Sequence, residues 1–353
     1  MTSVAGEKHV FFASTPFNVL TSAMVALSLP TEDQAHLILI DQIPETAPFR
    51  EALAQWKTSP FVEIHSISDK SSGISKRRAR LNSFKDLDVL LKKIQPQWLY
   101  TGNDRRIEFQ YSMAHCNGKG VYLDDGTYTY LGRPTHWFAD HIVDNLMKKL
   151  AYGFWWRQPP AIGASSWITK SILAYPENAL EILKQRPCES LPRNMDNPAF
   201  QELSQLCITD ARELSNLTSL LLLPHSSAAA NIKTALAHWQ GVKGSQPGYK
   251  HHPRTEKILK TGPQALDFWS LPNNAFAVPA SMPLEIILPM LPANCVVIGD
   301  VSTALLTAKW LRPELSVSAC VNASTSQEWI NLLDIAGVKL ISSDQNPVIG
   351  VTK

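Results

Sequence analysis

The chain is predicted to be an α/β protein built from two successive units of parallel sheet. Three observations lead there. Its 353 residues are enough for two ordinary domains. Short apolar runs alternate with longer mixed stretches, the rhythm of repeated βαβ units. That rhythm appears twice, separated by a stretch without it. Hydrophobic content of 44% and charged content of 18% suit a packed core and exclude a disordered chain. The net charge of +2 is too small to indicate nucleic-acid binding.

In the first half the predicted strands are HVFFA (9–13), HLILI (36–40), FVEIHSI (61–67), QWLYTG (97–102) and GVYLD (120–124). The opening KHVFFASTPFNVLTSAMVALSLP has a basic start and many apolar residues, as a signal peptide does. Pro16 and Asn18 interrupt it, so a first strand, a tight loop and a helix over Asn18–Leu29 are expected. SFKDLDVLLKKI (83–94) repeats Phe84, Leu87, Leu90 and Leu91 at helical spacing, with Ser83 as its N-cap. Residues 133–215, rich in Trp, Pro and Asn, show no strand rhythm and read as helices and connections. The second set of strands is SLLLLPH (219–225), AFAVPA (275–280), CVVIGD (295–300), LSVSACV (315–321) and VKLISS (338–343). The domains are therefore expected at 1–215 and 216–353.

No window offers roughly 18 uninterrupted apolar residues. The apolar segment 275–311 is broken by prolines and Glu285. Five scattered cysteines, with no CxxC pair, indicate neither a disulfide framework nor a zinc site, and fit a reducing cytoplasm.

Four polar clusters sit at the edges of apolar runs. Asp124-Asp125-Gly126 ends the strand GVYL, where α/β sheets place their ligands; an ordinary turn is the plainer reading of the same residues. YKHHPRTEK (249–257) surrounds His252-Pro253 with Lys250, Arg254 and Lys257, which reads as a local cationic patch. The functional reading is an anion site, and the plainer one is a solvated basic loop. VVIGDVSTALLTAKWL is a strand, a turn and a helix start, so Ser302 and Thr303 could seat a phosphate or simply cap their own helix. Glu285 stands alone among apolar residues at a helix start, where it favours the helix dipole or accepts hydrogen bonds from ribose or a base. Neither GxxxxGK[ST] nor GxGxxG occurs.

The order DDG, then HP, then an isolated Glu before Ser-Thr resembles the bacterial sialyltransferases, the lipooligosaccharide sialyltransferases and capsular polysialyltransferases. Thr15-Pro16-Phe17 in FFASTPFNVL is similar to that family's first loop. Thr303 stands where many members carry a second serine. The resemblance implies a GT-B glycosyltransferase, two Rossmann-like domains facing a cleft. It implies inverting transfer of a nonulosonic acid from a CMP-activated donor to a glycan hydroxyl, with Asp124 as general base and Asp125 orienting the turn. His252 would assist the leaving phosphate, Pro253 would fix its presentation, Ser302 and Thr303 would hold phosphate oxygens and Glu285 the cytidine. Thr15, Asp125, Gly126, Asn103 and Arg105 are further candidates for the cleft, Arg105 toward a sugar carboxylate.

The chain's Asp86-Leu87-Asp88 lies inside the helix-like stretch 83–94 and is not read as a DxD motif of the metal-dependent GT-A type, and neither a metal nor a cofactor beyond the donor is expected. Expected partners are the CMP-nonulosonic acid donor and a surface glycan acceptor, with no nucleic acid. The basic SKRRAR (75–80) and aromatic FWWR (154–157) could touch an anionic membrane surface or a polymer acceptor, although a solvated loop and a buried core or dimer contact are the plainer readings; a homodimer is among the partners considered. The expected location is cytoplasmic, at most peripheral to the inner membrane. Two alternatives remain open: a GT-B transferase using CMP-Kdo or a UDP-sugar, and a non-catalytic glycan- or nucleotide-binding protein.

Overall fold

The computed structural model describes residues 6–40, 47–67, 74–133, 142–208, 211–224, 231–252, 271–280 and 282–342. The chain divides into two compact units, 1–199 and 200–353. Residues 200–215 thus group with the second unit, and the helix Ala211–Ser215 packs near the turn Leu288–Met290.

In the first unit, β1 (Lys8–Ala13), β2 (Gln34–Ile40), β3 (Glu63–Ile67), β4 (Trp98–Thr101), β5 (Lys119–Leu123), β6 (Ile168–Leu173) and β7 (Cys188–Ser190) form one parallel sheet. Their order is β3-β2-β1-β4-β5-β6-β7. In the second, β8 (Ser219–Leu222), β9 (Pro247–Lys250), β10 (Phe276–Val278), β11 (Val296–Asp300), β12 (Ser316–Val321) and β13 (Lys339–Ser342) are ordered β10-β9-β8-β11-β12-β13, again all parallel. The strand order reverses between β1 and β4, and between β8 and β11. Open α/β sheets bind ligands at such switch points. The central strands are apolar without alternation because helices cover both faces; Val10, Phe11, Phe12 and Ala13 are all buried.

The first-unit helices are α1 (Pro16–Ala26), α2 (Ala47–Gln55), α3 (Ile74–Ile94), α4 (Ile107–His115), α5 (Tyr128–Leu131) and α6 (Asp144–Tyr152), with a short turn of helix at Glu181–Lys184. Thr15 caps α1 by accepting from Asn18 N at 3.1 Å, and Pro16 occupies the first helical position, where its missing N–H costs nothing. Phe84, Leu87, Leu91 and Ile94 of α3 pack on Val10, Phe12 and Ile38.

Several sequence expectations change. The helix expected from residue 83 begins at Ile74, so Ser83 is a buried interior residue and not its cap. The turns that extend it carry Lys, Arg and Ala, strong helix formers that leave no apolar stripe to read. SKRRAR is accordingly helical and not a loop. The region 133–215 contributes β6 and β7 to the first sheet. Lys170 and Ser171 break the apolar run of β6, and Lys170 pairs with Glu189 on the polar edge strand β7 at 3.0 Å. β9 escaped notice because its first residues are Pro247 and Gly248. The glycine is required by close packing: a Cβ there would lie 2.8 Å from Leu217.

Candidate functional site

The strand β5 delivers Asp124 and Asp125 to the carboxyl edge of the first sheet, and their surroundings differ sharply. Asp124 is 1% exposed. Its Oδ1 accepts from Gly126 N at 2.8 Å, and its Oδ2 accepts from Ala174 N at 2.9 Å and from the Tyr130 hydroxyl. Gly126 has a φ of 83°, the left-handed conformation this tight exit needs. Burial raises the Asp124 pKa, opposed by the Tyr130, Ala174 and Gly126 donors.

Asp125 is only half buried. Its Oδ1 accepts from Asn18 Nδ2 at 3.1 Å, and among the described residues its Oδ2 has no hydrogen-bond partner. The Asn18 amide cannot present its oxygen instead. Ser14 N and Oγ lie 3.4 and 3.2 Å from Asn18 Oδ1, and a backbone N–H only donates. Gly102 completes the seat: a Cβ there would sit 2.3 Å from Asn18 Nδ2 and 3.4 Å from Asp125 Oδ1. Burial pushes the Asp125 pKa up to about 7; the Asn18 bond lowers it, neighbouring Asp124 raises it and Arg106 lowers it. Ser14 after β1, Gly102 after β4 and Asp125 after β5 thus meet at the first switch point.

The other candidates of this unit have local partners. Thr15 spends its hydroxyl on the α1 cap and lines a cavity of about 40 Å³ with Pro16, Val19, Leu39, Phe49 and Leu53. Asn103 Oδ1 accepts from Arg105 N at 3.0 Å. Arg105, expected to face a sugar carboxylate, instead pairs with Asp144 at 2.9 Å. Asp104 is fully buried and accepts from Gly163 N at 2.9 Å and Ser165 N at 2.7 Å, tying down the loop before β6; burial pushes its pKa up to about 6, against those two donors.

In the second unit the candidates also stand at carboxyl ends of strands. His252 lies two residues beyond β9, half buried; Pro253, Arg254 and Lys257 lie outside the described residues. Lys250 is not part of a solvated patch. It is 6% exposed and donates to Ala280 O at 2.9 Å, tying the end of β9 to the loop after β10. That loop leads into the short helix Leu284–Ile287, whose first turn carries Glu285. Burial raises the Glu285 pKa, with the charge of Lys250 opposing. Ser302 is the N-cap residue of the helix Thr303–Leu311, yet its side chain makes no capping bond.

Asn18, Gly102 and Asn231 were not singled out from the sequence. Asn231 precedes the helix Ile232–Gln240 and donates to Asp300 Oδ1 at 2.8 Å, across the β8–β11 switch point. The one signal for Asn18 was its place in a mostly apolar helix: a buried amide there demands polar partners.

Comparison with solved structures gives the fold. The chain is similar to a UDP-GlcNAc 2-epimerase from Neisseria meningitidis bound to UDP-GlcNAc, with a TM-score of 0.56 and 13% identity over 95% of this chain and 88% of that one. It is also similar to a UDP-N-acetylglucosamine 2-epimerase, with a TM-score of 0.53 and 14% identity over 96% and 84%. At such identities the likeness is one of fold, and the fold is the two-domain Rossmann-like GT-B fold. No protein-family model matches the chain, and the comparison with curated proteins gave no match.

Proposed function

We propose that this protein is an inverting glycosyltransferase that moves a CMP-activated nonulosonic acid to a hydroxyl of a bacterial surface glycan, with Asp125 as the general base. The observation that carries the reading is the Asp125 carboxylate, held by one oxygen at the first switch point, its other oxygen unbonded among the described residues. The order of the DDG, HP and Ser-Thr motifs supports the donor class. The assignment of the base to Asp124 is revised because that carboxylate already holds three donors out of reach of solvent.

In this mechanism Asp125 takes the proton of the acceptor hydroxyl. The acceptor oxygen attacks the anomeric carbon from the face opposite the phosphate. The bond from carbon to phosphate oxygen breaks, and its electron pair leaves with CMP. His252 donates a hydrogen bond or proton to that phosphate. Ser302, Thr303 and the N-terminus of the helix Thr303–Leu311 stabilise its charge. Glu285 accepts from the cytidine.

One second reading has a specific motive: the solved structure from Neisseria meningitidis holds UDP-GlcNAc. A nucleotide panel separates the two. CMP should raise the melting temperature more than UMP, GMP or AMP, with about 2.7 kcal/mol of added stability at a hundredfold excess over Kd. His252→Ala should reduce that shift. A larger shift with UMP favours a UDP-sugar enzyme, no shift with any nucleotide overturns both readings, and CMP binding without turnover leaves a binding protein.

The acceptor side of the proposal includes an anionic membrane surface. Ile142, Val143, Leu146, Met147, Leu150 and Phe154 are exposed along α6 and its flanks, none of the residues of α6 itself is buried, and Phe154 is 81% exposed. Lys148, Lys149 and Arg157 lie in the same stretch. The other aromatics of FWWR point elsewhere: Trp156 is buried, and Trp155 packs edge-on against Phe84 and Tyr111. Among the described residues no helix is long and apolar enough to cross a membrane. The protein should sediment with vesicles containing phosphatidylglycerol and not with pure phosphatidylcholine. Leu146→Ser with Leu150→Ser should weaken that binding roughly tenfold or more, given about 1 kcal/mol or more per leucine withdrawn. Unchanged sedimentation would remove the membrane from the proposal.

A further inference from the structure

A second cluster lies on the opposite half of the first sheet, away from Asp125. His36 is the third residue of β2, and Glu63 and His65 are the first and third of the edge strand β3. The parallel register pairs His36 with Glu63 and Ile38 with His65. Side chains alternate along a strand, so His36, Glu63 and His65 share the face that carries Ile38, Ile40 and Ile67, which α3 covers. One ligand atom from each of the three lies within 4.8 Å of the others.

Two features distinguish the cluster from an ordinary ion pair. His36 is 6% exposed, and its Nδ1 is buried with no hydrogen-bond partner, an arrangement that costs stability unless something completes it. His65 Nε2 stands 3.2 Å from Glu63 Oε2 but is not aligned for a hydrogen bond. A second His-carboxylate group, Glu7, His9 and Asp33, is closed by comparison. His9 bonds the Tyr100 hydroxyl through Nδ1 and Asp33 through Nε2, each at 3.0 Å.

We propose that His36, Glu63 and His65 form a site for a late first-row divalent cation, Zn²⁺ in the first instance. Two imidazoles and one carboxylate are a donor set that zinc accepts in tetrahedral geometry, with a fourth position left to water. Metal–ligand bonds of about 2.0–2.2 Å put tetrahedral donors about 3.3–3.6 Å apart. His65 Nε2 and Glu63 Oε2 already stand 3.2 Å apart, and the three donors all lie within 4.8 Å. Burial lowers the pKa of both histidines, which keeps their lone pairs available near neutral pH. The charged groups facing the site are Glu63, Lys93 at the end of α3, which donates to Glu63 at 2.9 Å, and Lys8, whose charge His36 feels. Bound metal would pin the edge strand β3 to β2. Its place at the amino-terminal half of the strands keeps it apart from the proposed transfer chemistry.

The test uses the full-length protein stripped with EDTA and titrated with Zn²⁺, and with Co²⁺ as the absorbing probe. One equivalent of Zn²⁺ should bind and raise the melting temperature, and Co²⁺ should give the visible bands of a tetrahedral site. His65→Gln and, separately, Glu63→Gln should weaken Zn²⁺ binding at least tenfold. Lys93→Met removes a competing cation and should tighten binding, which a purely structural ion pair would not predict. Transfer activity should be the same with and without metal. Failure of wild type to bind one equivalent, or undiminished binding in both the Gln variants, overturns the site.

Discussion

Asp125→Asn is expected to lower transfer to the acceptor by roughly 10²-fold or more, the usual size of a general-base contribution. The variant keeps the Asn18 contact region filled but cannot take a proton. Nucleotide affinity should barely change, because the residues assigned to the nucleotide belong to the second unit. The wild-type rate should also carry an acid limb. With its pKa pushed up to about 7, Asp125 holds its proton below that pH and cannot act as a base, so kcat/KM should rise through about pH 7. The same shift has a sign for stability. The folded chain binds this proton more tightly than the unfolded chain, so Asp125 contributes stability at low pH that is lost as pH rises from 3.8 through about 7. Asp125→Asn should flatten that decline. A variant that keeps activity within a few-fold, while folded, would remove Asp125 from the mechanism.

Asp124→Asn is expected to act on the fold instead. The wild-type carboxylate accepts from Gly126 N, Ala174 N and the Tyr130 hydroxyl at full burial. An amide offers one acceptor oxygen and turns an NH₂ toward the remaining donors. Leaving buried donors unsatisfied costs about 1–3 kcal/mol each, so a loss of about 3 kcal/mol and a drop in melting temperature of roughly 5–10 °C are expected. Thermal or urea unfolding of the two variants side by side separates the roles. If Asp124→Asn is as stable as wild type but inactive, the assignment of base returns to Asp124.

The contrast between these two neighbours shows how far the sequence reaches. Apolar runs such as HVFFA and CVVIGD announced buried parallel strands, because a strand covered on both faces has no polar side to display. Asp-Asp-Gly after GVYL announced a sharp exit at the carboxyl edge of a sheet. Strands without a continuous apolar run, β6, β7 and β9, were not legible, since their partners lie far along the chain and propensity alone says little at such positions. Lys250 read as surface charge because nothing local shows that Ala280 O waits for it 30 residues away.

The sequence by itself determined the class of fold, the place of the doublet at a strand end and the need for Gly126 to turn there. Only the tertiary structure decided which carboxylate is free. Consecutive residues leaving a strand point to different sides, and neither side is marked in the local residues. One side is filled by Tyr130 and by the backbone of Ala174, 50 residues on, which consume Asp124. The other is met by Asn18, 107 residues before, whose single amide holds Asp125 and, among the described residues, leaves an oxygen unbonded. The difference lies in contacts made at long range, and such contacts exist only once the sheet has brought β1, β4 and β5 together.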